Sequence, residues 1–389
     1  MKIRNLIIFS SFLILSVVLT TCSENPNDSN TESYYTVPQN IGDGWNTASL
    51  SSVRMDEDLL VNLIEQINNS HYDEVHSVVI IKDDKLVFEE YFPGHDFNYR
   101  GQNFHGVSID FGIDTPHNTH SATKSVVSTL AGIAIERGFI GSKDDKIISY
   151  FEPYLELFDE EKGDITIEHL LTMSSGLEWN EWDVPPGDPE YDTYLFNISP
   201  DPIAYILSKP VVTEPGTSFY YNGAGVDLLG EIVAIASNME LDVFAGQYLF
   251  GPMNVDYYEF QKHPSGMTYA HGDIYISPRT MAKYGYLLLN DGKWNDISIV
   301  SEDWINESIT SQIQLPQLSW ADEYGYLIWR KVYRVNNQFY SSYFAEGWGG
   351  QKIVVFPSLD MVAVFTGANY TTFVPCDEII RDYIIPAIK

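Results

Sequence analysis

The sequence predicts a mixed α/β fold: an antiparallel sheet built from strands at both ends of the chain, flanked by helices and joined to a mainly helical lobe. Two observations carry that expectation. Strand–turn–strand patterns stand near each terminus, SVVIIKDDKLVFEEYF from Ser77 and KIVVF-PSLD-MVAVFTG from Lys352, each an apolar run broken by a short turn. The long region between them carries helical signals. Strands at both ends with helices between them place the two hairpins in one sheet, covered by the middle of the chain.

Taken in order, the chain starts with Lys2 and Arg4 ahead of an apolar run from Leu6 to Leu19. That is the layout of a secretory signal over residues 1–21, too short for a stable membrane span. Cys22 stands directly behind it and resembles the lipidated cysteine of a bacterial lipobox, although Thr21 departs from the usual small residue. The resemblance implies a lipid-anchored protein of the bacterial cell envelope, facing the periplasm or the exterior. Residues 22–45 read as a flexible acidic tether, and residues 46–389 as one domain. Cys376 is the other cysteine; with Cys22 lipidated there is no intrachain disulfide, and the fold rests on its core.

The length of 389 residues, with 44% hydrophobic and 14% aromatic, is ample for a full core. The formal net charge is −32, and loss of Lys2 and Arg4 with the signal would make it −34. No cluster of Lys and Arg offers a phosphate-binding face, which argues against a nucleic-acid partner.

Along the domain, Val78–Ile81 is an unbroken apolar run, expected to be buried on both faces, and Asp83-Asp84 is its turn. THSATKSVVSTLAGIAIERG, from Thr119, is a buried helix with Ser121 and Lys124 three apart on one face. A neutral lysine amine beside a serine hydroxyl can take its proton and make it a nucleophile. Ser-x-x-Lys alone is a short pattern whose bland reading is a helix start with a solvated lysine. ITIEHLLTMSSGL reads as a helix with Thr166 as N-cap and Gly176 at its end. GVDLLGEIVAIAS and SPRTMAKYGYLLLNDGK read as two more, the second opening on Ser277-Pro278.

Ordered landmarks decide the matter. After Ser121-Ala122-Thr123-Lys124 come Ile165–Leu177, Glu214-Pro215-Gly216-Thr217-Ser218-Phe219, Tyr221, Asp227-Leu228-Leu229-Gly230, and Ile276-Ser277-Pro278-Arg279 with Met281–Gly285. In that order the chain resembles the β-lactamase-related serine hydrolases, which include class C β-lactamases, D-alanyl-D-alanine carboxypeptidases, esterases and 6-aminohexanoate-oligomer hydrolases. The resemblance runs from Ser77 to Ala368 and implies a β-lactamase/transpeptidase-like fold. It further implies Ser121 as nucleophile, Lys124 and Tyr221 as the proton-transfer pair, and main-chain N–H groups of Ser121 and Trp348 as the oxyanion hole. Asn222, Gly223, Ala345 and Gly347 fall at substrate-binding positions.

Two tyrosines compete for the family's Tyr-x-Asn position. Tyr220-Tyr221-Asn222 matches the literal pattern, whereas spacing from Pro215-Gly216-Thr217 and from Asp227 selects Tyr221. The family's third motif carries a cation that Ala345-Glu346-Gly347-Trp348-Gly349-Gly350-Gln351 lacks. Ala345 cannot hold a β-lactam carboxylate, so the expected substrate is a small-molecule or peptide ester or neutral amide. Glu346 is expected at a solvated strand edge, and Trp179–Tyr194 as a loop over the cleft. The nine histidines include no His-Glu-x-x-His or other ligand spacing, so neither metal nor cofactor is expected. The alternative reading is a penicillin-binding-like module, acylated by cell-wall peptides or β-lactams without efficient turnover.

Overall fold

The structure, a computed structural model, describes residues 35–182, 184, 188 and 190–389. The signal segment 1–21, Cys22 and the tether as far as residue 34 lie outside the described residues. Residues 35–45, read from sequence as tether, pack on the domain instead. Tyr35 stacks on Phe88 and donates to the Val87 carbonyl, Trp45 is buried against Trp294, and Asp43 pairs with Arg279. Two aromatic anchors outweigh the polar composition around them.

Helix α1 (Glu57–Asn68) is capped by Asp56 and lies ahead of strands β1 (Val75–Lys82) and β2 (Lys85–Tyr91). Asp83 and Asp84 both have positive φ, 50° and 60°, as a two-residue turn matching the strand twist requires. All eight residues of β1 are buried, as its apolar run predicts. A two-stranded excursion follows, β3 (Pro93–Phe97) with β4 (His105–Asp110). Then come α2 (Thr123–Glu136), α3 (Ile167–Leu171), α4 (Gly223–Ser237) and α5 (Pro278–Leu289). The chain returns through β5 (Glu323–Tyr324), β6 (Trp329–Val335), β7 (Gln338–Gly347), β8 (Gln351–Phe356) and β9 (Met361–Gly367).

One seven-stranded sheet in the order β5-β6-β7-β8-β9-β1-β2 unites both ends of the chain. Its closing seam is the antiparallel β1/β9 ladder, with Val78 opposite Phe365 and Ile80 opposite Ala363. The predicted antiparallel sheet with flanking helices and a helical lobe is the observed fold. Helix α5 seats on this sheet at Gly285, where a Cβ would stand 2.5 Å from Val362 and 2.7 Å from Ile353. From there Tyr284 reaches across to α2, donating to the Ser125 carbonyl at 2.6 Å. Helix α2, which follows Ser121, is thus fixed on the sheet side by a buried hydrogen bond.

One helix is shorter than its sequence suggests. The segment capped by Thr166 makes a capping box with His169 but ends at Leu171, not at Gly176. Met173 turns into the left-handed region at φ 56°, and its carbonyl accepts from Tyr220 N–H at 2.8 Å. The turn therefore holds the segment carrying Tyr221, a tertiary demand that overrides helix propensity.

Candidate active site

Ser121 lies in a single 3-10 turn, His120–Ala122, leading into α2. His120 has φ 44°, an uncommon conformation for a side chain of this size. Its N–H is held by Asn118 Oδ1 at 2.8 Å and its ring Nδ1 lies 3.4 Å from Asp273. The turn lifts the Ser121 hydroxyl out of the helix while Lys124 stays inside it. Lys124 Nζ is 2.9 Å from Ser121 Oγ and donates to the His271 carbonyl at 2.5 Å.

Burial dominates the Lys124 amine and pulls its pKa below the ordinary lysine value, against the pull of the Glu181 and Asp227 carboxylates. A buried ammonium costs more than a buried amine, so the site favours the neutral form that can accept a proton. Tyr221 sits on the other side: its ring is 4.9 Å from Lys124 Nζ. Burial, with Glu181 next, pushes that phenol well above its usual range, while the neighbouring Ser121 hydroxyl favours its ionised form slightly. Tyr221 is 8% exposed and Tyr220 44%; of the two competing tyrosines the structure brings Tyr221 to Ser121.

The remaining predicted positions separate into those at the cleft and those committed to the fold. Asn222 caps α4, accepting from Gly225 N–H at 2.9 Å and donating to the Leu177 carbonyl at 3.3 Å. Its amide thus braces the start of α4 with one bond accepted and one donated. Gly223 N–H donates to Glu181 at 2.8 Å, a carboxylate at a helix N-terminus. Ala345 is buried in β7. Gly347 ends that strand so close to the Ser121 turn that a Cβ would stand 2.1 Å from the Thr119 carbonyl oxygen. The glycine is required by this backbone approach. Next to it, Trp348 donates its indole N–H to the Tyr370 carbonyl at 2.9 Å. The main-chain N–H groups of Ser121 and Trp348 have no hydrogen-bond acceptor among the described residues.

Glu346 is not the solvated edge residue its position suggests. Its carboxylate lies 3.5 Å from Lys352, which also pairs with Asp377 at 2.7 Å. Burial raises the Glu346 pKa despite that lysine. Lys352 is 1% exposed, so this cation is spent on two carboxylates.

Several groups at the centre were given no role at the site from the sequence, Asp227 having served only as a spacing landmark. Asp227 accepts from both Ala270 N–H and His271 N–H and bonds His271 Nδ1 at 2.7 Å. It orients the carbonyl that holds Lys124. Burial would depress the His271 pKa, but Asp227 outweighs it and the pKa rises. Burial likewise pulls Asp273 up, yet His120 prevails and holds the carboxyl down at about 2. His271 and Asp273 stand just before the Ile276-Ser277-Pro278-Arg279 landmark, a signal available in the sequence.

An aromatic wall borders Tyr221. Trp182 stacks on Tyr221 at 4.4 Å, and Trp329 and Trp320 continue the layer. Trp182 belongs to the segment expected over the cleft, of which residues 183, 185–187 and 189 lie outside the described residues. A cavity of about 580 Å³ lies elsewhere, lined by Tyr154, Asp201 and Glu231. It contains none of the Ser121, Lys124 and Tyr221 side chains, so the chemistry is read from the polar cluster and not from cavity size.

A family profile described as Beta-lactamase matches residues 62–377. Among curated proteins, the acyltransferase mokF of Monascus pilosus is 31% identical over 159 residues, which cover 37% of each chain. That match spans little more than a third of the relative's length. Among solved structures, the octameric penicillin-binding protein homologue from Pyrococcus abyssi aligns with a TM-score of 0.62 at 20% identity, covering 84% of this chain and 76% of that one. A family VIII carboxylesterase aligns at 0.63 and 16%, covering 85% and 96%. At these identities the two structures speak for the fold.

Proposed function

The chain belongs to the β-lactamase family of serine hydrolases, and from that premise we propose that it cleaves an ester or amide bond through an acyl-enzyme on Ser121. The observation that carries the reading is the shared proton site of Ser121, Lys124 and Tyr221. Ser121 Oγ attacks the substrate carbonyl, and its proton passes to the Lys124–Tyr221 pair, which returns it to the leaving group. The two act as one coupled base, with no assignment of the proton to either alone. The oxyanion falls to the main-chain N–H groups of Ser121 and Trp348, and water then releases the acyl group.

Esters and neutral amides are the proposed substrates. Ala345 supplies no cation and Lys352 is already paired, so a β-lactam carboxylate has no partner there. The aromatic wall of Trp182, Trp320 and Trp329 suits an apolar acyl or alcohol group. Mixing the protein with an activated aryl ester should give a rapid burst and a mass increase of one acyl group on Ser121, followed by turnover. A chromogenic cephalosporin should be hydrolysed weakly or not at all. A stable adduct without product release would favour the acylated binding module, and absence of any adduct would overturn the mechanism.

We also propose that the enzyme works outside the cytoplasm, held to a bacterial membrane by lipid on Cys22. The basic-then-apolar leader with a cysteine behind it supports this reading. Several acyl chains at one terminus bind a membrane stably, each buried CH₂ contributing about 0.8 kcal/mol. Wild-type protein should fractionate with membranes and Cys22→Ser should not. Wild-type protein that is soluble and begins elsewhere than residue 22 rules the anchor out and leaves the hydrolase reading intact.

A further inference from the structure

We propose that Glu74, His95 and His105 form a binding site for one borderline divalent cation, zinc being the reference ion, that clamps the β3–β4 hairpin to the edge of the main sheet. Glu74 immediately precedes β1, His95 lies on β3 and His105 opens β4. Each offers one ligand atom, and the three atoms lie within 4.8 Å of one another. A tetrahedral shell with bonds of about 2.0–2.1 Å puts its ligand atoms roughly 3.3 Å apart. The three side chains therefore need to close by little more than an ångström. Two imidazoles and a carboxylate are a donor set that suits zinc and leaves a fourth position for water.

The protons of the cluster are already placed for coordination. His105 Nε2 is 2.9 Å from the Ala368 carbonyl oxygen. A carbonyl only accepts, so Nε2 carries the hydrogen and Nδ1 presents a lone pair. His95 Nδ1 faces Glu74 Oε1 at 2.6 Å, so a shared metal would stand on this side of the ring and displace the hydrogen between them. Glu74 Oε2 is anchored by His76 Nε2 at 3.2 Å and by His95 N–H at 3.0 Å. A ligand histidine tied through its second nitrogen, and a carboxylate held by outer donors, are the supports that tune bound metals. The His95 and His105 rings lie parallel, with centroids 4.6 Å apart.

A second, independent observation points the same way. A cavity of about 120 Å³ beside the cluster is lined by His76, His95, Asp96 and His117. His76 and His117 are 1% and 6% exposed, and His76 Nδ1, His117 Nε2 and Asp96 Oδ1 are buried without a hydrogen-bond partner. Since His117 Nδ1 faces the Thr115 carbonyl at 3.2 Å, its Nε2 is an acceptor. The cavity wall thus presents acceptors that meet no donor among the described residues. A cation and its strongly polarised water are a natural complement. The hairpin also carries Phe97, 4.7 Å from the His120 ring, and the turn within it carries Phe104, 4.6 Å from Trp348. Clamping the hairpin would steady the rim of the Ser121 site.

The test uses the full chain purified without a histidine tag and stripped with a chelator. Calorimetric titration with zinc should give one equivalent per chain. The double variant His95→Ala/His105→Ala should lose at least ~100-fold in affinity while keeping its far-ultraviolet circular dichroism. Cobalt titrated into wild-type protein should give the visible absorption of a tetrahedral ion, a readout that needs no variant to fold. Zinc binding by the double variant equal to wild type, or absence of both zinc uptake and the cobalt spectrum in wild type, overturns the proposal.

Discussion

Replacing Ser121 with Ala is expected to lower turnover of an activated ester by at least ~10³-fold and to erase the acyl adduct, because nucleophile and base act as a unit. The same loss should follow Lys124→Arg, which keeps a long basic side chain but holds its proton at every working pH. The pH profile separates the base from a merely structural lysine. Burial lowers the Lys124 pKa from the ordinary value of 10.5, so the active neutral amine accumulates as pH rises through that lowered value. Wild-type kcat/KM should climb along this limb and level off once the amine is deprotonated. Lys124→Arg should show no such limb. A Ser121→Ala protein with a normal burst, or a Lys124→Arg profile superimposable on wild type, would falsify the assignment.

The second large effect is expected from the removal of nothing at all. Gly347→Ala adds a Cβ that would stand 2.1 Å from the Thr119 carbonyl oxygen and 3.2 Å from the Ala122 nitrogen. Both neighbours are backbone, so neither can rotate away; the end of β7 must move from the Ser121 turn by an ångström or more. That displacement takes the Trp348 N–H away from the developing oxyanion, and loss of one such donor costs about 10²–10³ in kcat. KM for a small ester should change far less, since the ground-state carbonyl gains little from the donor. Gly163→Ala is the matched control, with nothing within 4 Å of its new Cβ, and should leave kcat and stability near wild type. Equal kcat for the Gly347 and Gly163 variants would show that the approach of β7 does not matter to the reaction.

What was legible in the sequence has a local physical origin. The Asp83-Asp84 turn, the cap at Thr166 and the face shared by Ser121 and Lys124 each depend on residues no more than four positions apart. Periodicity and turn chemistry therefore reveal them. Spacing from Pro215-Gly216-Thr217 and from Asp227 favours Tyr221 over Tyr220, but only packing buries one tyrosine beside Lys124 and leaves its neighbour exposed. Local rules failed where a distant partner took over. The helix expected to reach Gly176 stops at Leu171 because Met173 must hold the Tyr221 segment. Residues 35–45 have a linker's composition yet pack through Tyr35 and Trp45.

By itself, the sequence determined the sheet-and-helix architecture, the Ser121–Lys124 pairing and the absence of a cation at Ala345, all consequences of residue type and short spacing. The tertiary structure alone decided that Asp227 and His271 would brace Lys124, that Glu346 and Asp377 would occupy Lys352, and that Glu74, His95 and His105 would converge. Spacing rules search along the chain, whereas charge, burial and coordination act through space. Residues from separate elements acquire their chemistry only when the fold sets the distance between them.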